Sequence, residues 1–232
     1  MVENELKGDE FMVKNAFFFF IMISFALTLS LPFVKEQESQ PAEEIKLPAP
    51  EIETGIPLMQ ALKKRGSSRE FSKEKLPLQV LSNLLWAANG VNRPDSQKRT
   101  APSAMNCQNI DIYLAMEDGL YLYAPLEHNL KLILKEDIRG STGNQDFVKD
   151  APLNIIYVAD LSKMTRGTDE EKSIYSAAHT GFISQNVYLF CASEGLATVI
   201  RGLIDRDALH KLLKLRPDQR VVFAQTVGYP KK

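Results

Sequence analysis

The sequence predicts an α+β domain in which helices pack beside a mostly antiparallel sheet. Three observations lead there. Helix-period apolar stretches alternate with short β-branched runs. An Asp-Gly turn joins two alternating segments. The order of elements lacks a strict strand–helix–strand rhythm. The 232 residues are 44% hydrophobic and 25% charged, an ordinary globular balance, and carry no internal repeat. A net charge of -1 removes a global basic field as a reason to bind nucleic acid or an anionic membrane.

The chain divides into three parts. Ala16 to Leu31 is an almost unbroken apolar run with Lys14 before it and Pro32 after it. Residues 1–34 therefore read as a secretory signal or an N-terminal membrane anchor, which exports the rest or tethers it. Four consecutive phenylalanines with no polar face argue against a core helix. Residues 35–51, rich in Glu, Gln, Pro and Ala, read as a linker. Residues 52–232 are the folded domain.

Within that domain, Pro57 opens a helix with Leu58, Ala61 and Leu62 on its apolar side, and Gly66 suits its C′ position. A second helix opens at Pro77, carries Val80, Leu81, Leu84, Leu85 and Ala88, and ends at Asn89-Gly90. Arg93 to Pro102 is polar and reads as a loop. Ile110 to Tyr123 alternates around Glu117-Asp118-Gly119, a hairpin signal, and Leu130 to Leu134 continues that sheet. Pro152 to Ala159 suits a central strand. Ser173 to Glu194 is the longest helix, closed by Gly195, with Ile174, Ala178, Phe182, Leu189 and Ala192 at helical spacing. Gln185 falls on that stripe and needs a partner there. Asp205 caps a short helix, and Val221 to Val227 is the last strand.

Common catalytic signatures are missing. The chain has no phosphate-binding GxxxxGK[ST], no GxGxxG after a strand and no GxSxG elbow. Cys107 and Cys191 form no CxxC and read as buried free thiols. His128, His179 and His210 form no HxxxH pair, so no metal site is expected. Arg139 to Asn144 reads as a turn.

Four segments are richer in ligand-facing chemistry. Arg65-Gly66-Ser67-Ser68-Arg69-Glu70-Phe71 offers guanidinium forks and hydroxyls suited to an anion. Thr100 to Gln108 contains Pro102-Ser103-Ala104-Met105-Asn106-Cys107-Gln108, which reads on its own as a capped helix start. Gly181 to Asn186 lies in the long helix. Gly195 to Gly202 reads as a loop with free amides.

In this order the segments resemble the nitroreductase family of flavin enzymes. The likeness rests on Arg65-x-Ser67-x-Arg69-x-Phe71, Pro102-Ser103-x-x-Asn106-x-Gln108 and Phe147 to Pro152. It continues through Gly181 with Gln185-Asn186, Gly195-Leu196 and Val227-Gly228-Tyr229-Pro230. It covers about residues 52–230 and implies a homodimer holding FMN at the subunit interface. Arg65 and Ser67 would grip the FMN phosphate, with Gly66 where relatives often carry a second basic or imidazole residue. Arg69 would face the N1/O2 edge of the flavin. Pro102, Ser103, Ala104 and Asn106 would reach the flavin of the other subunit. Backbone at Ile200, Arg201 and Gly202 would approach N5, and Lys231 and Lys232 are what remains of a basic tail that touches phosphate. The implied activity is electron transfer through flavin N5 from NAD(P)H or another reduced donor to a nitro, quinone or similar small acceptor. No side-chain acid or base is required. Two other readings stand beside it: an exported flavin-binding module without NAD(P)H turnover, and a flavin dehydrogenase of the azoline-oxidising type.

Overall fold

The computed structural model describes residues 43–232, so the apolar run at 16–31 and the leader assigned to residues 1–34 lie outside the described residues. Seven strands form one sheet, in the spatial order β1 (Glu44–Lys46), β6 (Asn129–Leu134), β5 (Gly119–Ala124), β4 (Ile110–Met116), β7 (Leu153–Asp160), β9 (Gln219–Gly228) and β8 (Ala197–Arg201). Every neighbouring pair in it is antiparallel. A two-stranded ribbon, β2 (Val91–Arg93) with β3 (Lys98–Arg99), stands apart.

Strand β7 shows why the sequence folds this way. All eight of its residues are buried. Leu153, Ile155, Tyr157 and Ala159 point to one face, where α2 (Leu78–Asn89) and α3 (Asp169–Glu194) supply Leu81, Leu84, Leu85, Ile183, Val187 and Cys191. Ile156 and Val158 point to the other, against Leu209 of α4 (Arg206–Leu212) and Ile138. A strand covered on both faces needs a continuous apolar run, which Leu-Asn-Ile-Ile-Tyr-Val-Ala provides. Its one buried phenol is satisfied, because Tyr157 donates to Gln225 Oε1 at 2.6 Å.

Helix boundaries follow local chemistry. Helix α3 starts four residues before the predicted Ser173, because Thr168 and Glu171 form a capping box. Thr168 Oγ1 accepts from Glu171 N, and Glu171 Oε2 accepts from Thr168 N. Gly195 ends it at φ 71°, the left-handed conformation that glycine adopts freely. Asp205 caps α4 by accepting from Ala208 N at 2.9 Å.

Several expectations need correction. Residues 44–46, assigned to the linker, form edge strand β1 against β6, and Leu47 is buried. The folded unit therefore begins before residue 52. Its alternation covers too few residues to stand out among charges. The segment 195–202, read as a loop, contains β8. The polar stretch 93–102 contains strand β3 and the last residue of β2. Helix α1 (Leu58–Lys64) ends with an extended Arg65 (φ -53°, ψ 122°), and Gly66 does not take the left-handed C′ role. The stripe Ile174–Ala178–Phe182–Gln185 faces outward, so Gln185 is exposed and needs no buried partner. Ser103 caps nothing: Ala104–Asn106 is a single 3-10 turn. Cys107 is half-exposed and Cys191 buried, both as free thiols.

Replacing Tyr157 by Phe removes a hydrogen bond between two side chains with no solvent exposure and leaves the Gln225 carbonyl short of a donor. The expected cost is about 1–3 kcal/mol. Chemical denaturation of the two proteins side by side measures it, and an unchanged midpoint would contradict this account.

Candidate functional site

Two clusters hold the residues singled out in the sequence. The first forms where Arg65–Phe71 runs along the outer edge of β8 and beside the C-terminal tail. Ser68 N donates to Thr198 O at 3.0 Å, Ser72 N to Tyr229 O at 2.8 Å, and Lys231 N to Glu70 O at 3.3 Å. Phe71 bridges Pro230 and is buried with Ala151, Ala197 and Val199. Buried Phe71 thus anchors the end of the segment, while Arg65, Gly66, Ser67 and Arg69 stay exposed. The tail pairing brings exposed Lys231 and Lys232 to the same edge.

Tyr188, on α3, ties this cluster together, and the sequence reading did not single it out. Its hydroxyl accepts from Ile200 N at 3.0 Å and shares a hydrogen bond with Ser67 Oγ at 2.8 Å. The Arg65 guanidinium lies over the Tyr188 ring, 5.4 Å from its centroid, a cation–π contact. One side chain thereby fixes Arg65, Ser67 and Ile200. A cleft of about 220 Å³ opens here, lined by Gly66, Ser67, Ser68, Tyr188, Thr198 and Pro230.

Arg201 behaves differently from the expectation of a loop residue. It ends β8, and its side chain is buried. The guanidinium donates to Thr226 Oγ1, Thr142 O, Thr142 Oγ1, Gln145 Oε1 and Asn154 Oδ1, all neutral acceptors. Burial lowers its pKa to about 10, so it stays charged at neutral pH. Gly202 follows it and is exposed.

The second cluster is the Pro102–Gln108 loop. Pro102 and Asn106 are exposed, and Ser103 and Ala104 half-buried. Met105, Asn106 and Gln108 all have positive φ (51°, 54° and 46°), a strained choice for residues with side chains. Ser103 Oγ accepts from Gln108 N at 3.0 Å, and Arg99 Nε donates to Gln108 Oε1 at 3.0 Å. Ala104 N donates to His179 Nε2 at 2.8 Å. Tyr188 and His179 sit nine residues apart on α3, roughly 13 Å along its axis. Among the described residues the two clusters share no hydrogen bond, so a single chain does not close them into one site.

A further cavity of about 330 Å³ lies apart from both. Its lining mixes cations with carboxylates, Lys73–Asp150 at 3.0 Å and Lys75–Glu117 at 2.7 Å among them. Among the described residues no three His, Cys, Asp or Glu side chains gather as metal ligands.

The fold and the order of these segments are those of a class of oxidoreductases. The sequence profile of the nitroreductase family matches residues 62–229, and the chain belongs to that family. A nitroreductase-family protein of Methanocaldococcus jannaschii, MJ1384, is 32% identical over 184 residues, covering 75% of this chain and 92% of that protein. The crystal structure of a nitroreductase-family protein of Ralstonia eutropha JMP134 superposes with a TM-score of 0.79 at 42% identity, over 84% of this chain and 92% of that one. The fold also matches the NADPH:FMN oxidoreductase of Vibrio harveyi solved with NAD+, with a TM-score of 0.58 at 18% identity, over 75% of this chain and 69% of that one.

Replacing Tyr188 by Phe keeps the ring under Arg65 and removes both hydroxyl contacts. The expected loss is about 1 kcal/mol of stability. Hydrogen exchange at the Ile200 amide should accelerate with it. Full protection of that amide in the variant would remove Tyr188 from its linking role.

Proposed function

We propose that this protein is an FMN-dependent oxidoreductase, acting as a homodimer that passes electrons from a reduced donor to a small nitro, quinone or similar acceptor. The observation that carries this is the Arg65–Ser67–Arg69 edge, where exposed donors converge. Neither Arg65 nor Arg69 pairs with a carboxylate among the described residues, and Lys231 and Lys232 join them from the tail. Guanidinium forks beside a hydroxyl suit a dianionic phosphate. Tyr188 holds two of these donors in place, and residues held before a ligand arrives lose less entropy on binding it.

In this reading Arg65 and Ser67 bind the phosphate, with Gly66 leaving open space where a larger side chain would stand. Lys232 adds positive charge at the same edge. Arg69 would face the pyrimidine edge of the flavin, and Ile200, Arg201 and Gly202 would offer backbone to its N5 side. When bound, FMN would supply two-electron chemistry between a reduced donor, NAD(P)H or another, and the acceptor. The cationic Arg69 favours the negative charge that reduction creates. Pro102, Ser103, Ala104 and Asn106 complete the site of the other subunit. Dimerisation draws support from the outer face of α3 and from α1, where Ile174, Tyr175, Phe182, Leu58 and Met59 are exposed (62, 50, 46, 62 and 75%). A stripe of that size on a helix calls for a cover. The apolar run at 16–31 supports work outside the cytoplasm or at a membrane; an exported protein, where NAD(P)H is scarce, would draw on another electron source.

The purified domain should be yellow and dimeric, with FMN released on denaturation. Arg65→Ala should weaken FMN binding roughly 10- to 100-fold, the equivalent of one charge-assisted hydrogen bond. Arg69→Ala should weaken binding too and move the flavin potential to more negative values. Fluorescence titration and spectroelectrochemistry read these effects. A colourless protein that takes up no added FMN would sink the proposal. Fractionation of cells carrying the full chain should place it in the exported or membrane fraction, and a wholly cytosolic product would refute the leader assignment.

A further inference from the structure

We propose that neutral His179 is the positioning residue of the Pro102–Gln108 loop, so that FMN affinity depends on the protonation of a side chain that never touches the flavin. The inference rests on the proposed FMN site and deepens it. His179 lies on α3 and is 2% exposed. Its Nε2 faces the Ala104 amide at 2.8 Å, and a backbone N–H can only donate. Nε2 must therefore be the unprotonated nitrogen. Its Nδ1 meets Asn109 Oδ1 at 2.7 Å. The orientation of that amide is set from behind: the Ser176 hydroxyl donates to Lys172 O, leaving its oxygen to accept from Asn109 Nδ2 at 2.9 Å. Asn109 Oδ1 is then an acceptor, and Nδ1 carries the proton. Each member of the chain Ala104–His179–Asn109–Ser176–Lys172 has one allowed role.

The loop needs such a hold. Met105, Asn106 and Gln108 sit in the left-handed region without the freedom of glycine. Released, they relax toward ordinary backbone, and the ligand-facing donors at Ser103, Ala104 and Asn106 lose their arrangement. A second proton on the ring would aim Nε2–H at the Ala104 N–H, two donors face to face. That orphans an amide at the turn where the strain begins.

The surroundings oppose that proton. Burial pushes the His179 pKa below the ordinary histidine value. Tyr175 and Phe182 flank the ring from its own helix, at centroid distances of 6.2 and 6.4 Å. From the loop side, Cys107 donates to the same Asn109 oxygen. Arg99 lines the small cavity that His179 also lines, and no carboxylate lines it. The one full charge on that wall is thus a cation. The sign follows: the neutral ring holds the loop above the ordinary histidine pKa of about 6.5, and the hold fails as pH falls through the lowered value.

The test is FMN affinity, by fluorescence quenching from pH 8.5 to 5, in the full chain and in His179→Gln and His179→Ala. The Gln amide oxygen can accept from Ala104 N and does not titrate. His179→Gln should match wild type within about threefold at pH 8, whereas His179→Ala should bind FMN at least about tenfold more weakly. The FMN phosphate titrates identically in all three. Wild type should therefore lose affinity in acid more steeply than His179→Gln. Superimposable acid limbs, or an Ala variant that binds like wild type, would overturn the proposal. Nitrogen NMR of wild type without flavin gives an independent reading if a variant does not fold: a neutral Nδ1–H ring at pH 7 supports it, and an imidazolium overturns it. Absence of FMN binding by wild type at every pH would instead defeat the proposed function, while the NMR result would still judge the ring.

Discussion

The burial of one stripe of α3 against the sheet sets both halves of the candidate site. Ser176, Thr180, Ile183, Val187 and Cys191 recur every three or four residues along that stripe. Its C-terminal half is apolar and enters the core beside Leu84 and Tyr157. Its N-terminal half is polar and yet buried, which is possible because the hydroxyls bond backward along the helix. Ser176 donates to Lys172 O and Thr180 to Ser176 O. His179 and Tyr188 stand at the margins of this stripe, one under the Ala104 turn and the other under the Arg65–Ser67 edge. Neither ring could be placed accurately on a helix free to roll.

The same arrangement explains where the sequence misled. Periodicity shows which residues share a face, but not which face is covered. On α3 the apolar residues of the N-terminal half, Ile174, Ala178 and Phe182, lie outside, and the polar Ser176, His179 and Thr180 lie inside. A helix inverted in this way has its outer stripe free for another surface. The reading that gave Gln185 a partner on this stripe took the ordinary rule for a monomer. Strand β8 was hidden for a related reason. It is bracketed by Gly195 and Gly202, it is short, and its outer edge is satisfied by Ser68 and Tyr188 rather than by another strand. Strand β1 was hidden by Glu44 and Lys46, whose charges protect an edge and also disguise it.

What the sequence made legible was the chemistry exposed on loops. Arg65, Ser67 and Arg69 recur with period two and keep their donors outward, so their residue types alone state what they can bind. The family likeness supplied their order. The buried supports were not legible, because their partners are remote in sequence: Ser67 meets Tyr188 across 121 residues and Ala104 meets His179 across 75. A tyrosine and a histidine at helical spacing look like ordinary core side chains until the backbone donors they accept from are known. The β4–β5 hairpin and β7 were legible because their signals are local, an Asp-Gly turn in one and a two-sided apolar run in the other.

Arg201 shows how the end of β8 is kept in register with this assembly. A guanidinium buried without a carboxylate is costly in isolation. Here its donors meet acceptors on β7, β9 and the 142–145 turn, through Asn154, Thr226, Thr142 and Gln145. These acceptors need donors wherever the turn is buried, and one planar group with several N–H bonds serves them together. Gly143 is part of the same solution, because a Cβ there would collide with the guanidinium. The result is an edge strand fixed at its last residue by Arg201 and, one residue earlier, by Tyr188 on the Ile200 amide. At and just beyond those two anchors lie the Ile200 and Gly202 backbone groups that the proposed cofactor would meet. Their position is therefore decided by side chains that point away from the ligand, and substitution at Arg201 or Gly143 would be felt there without changing any ligand-facing residue.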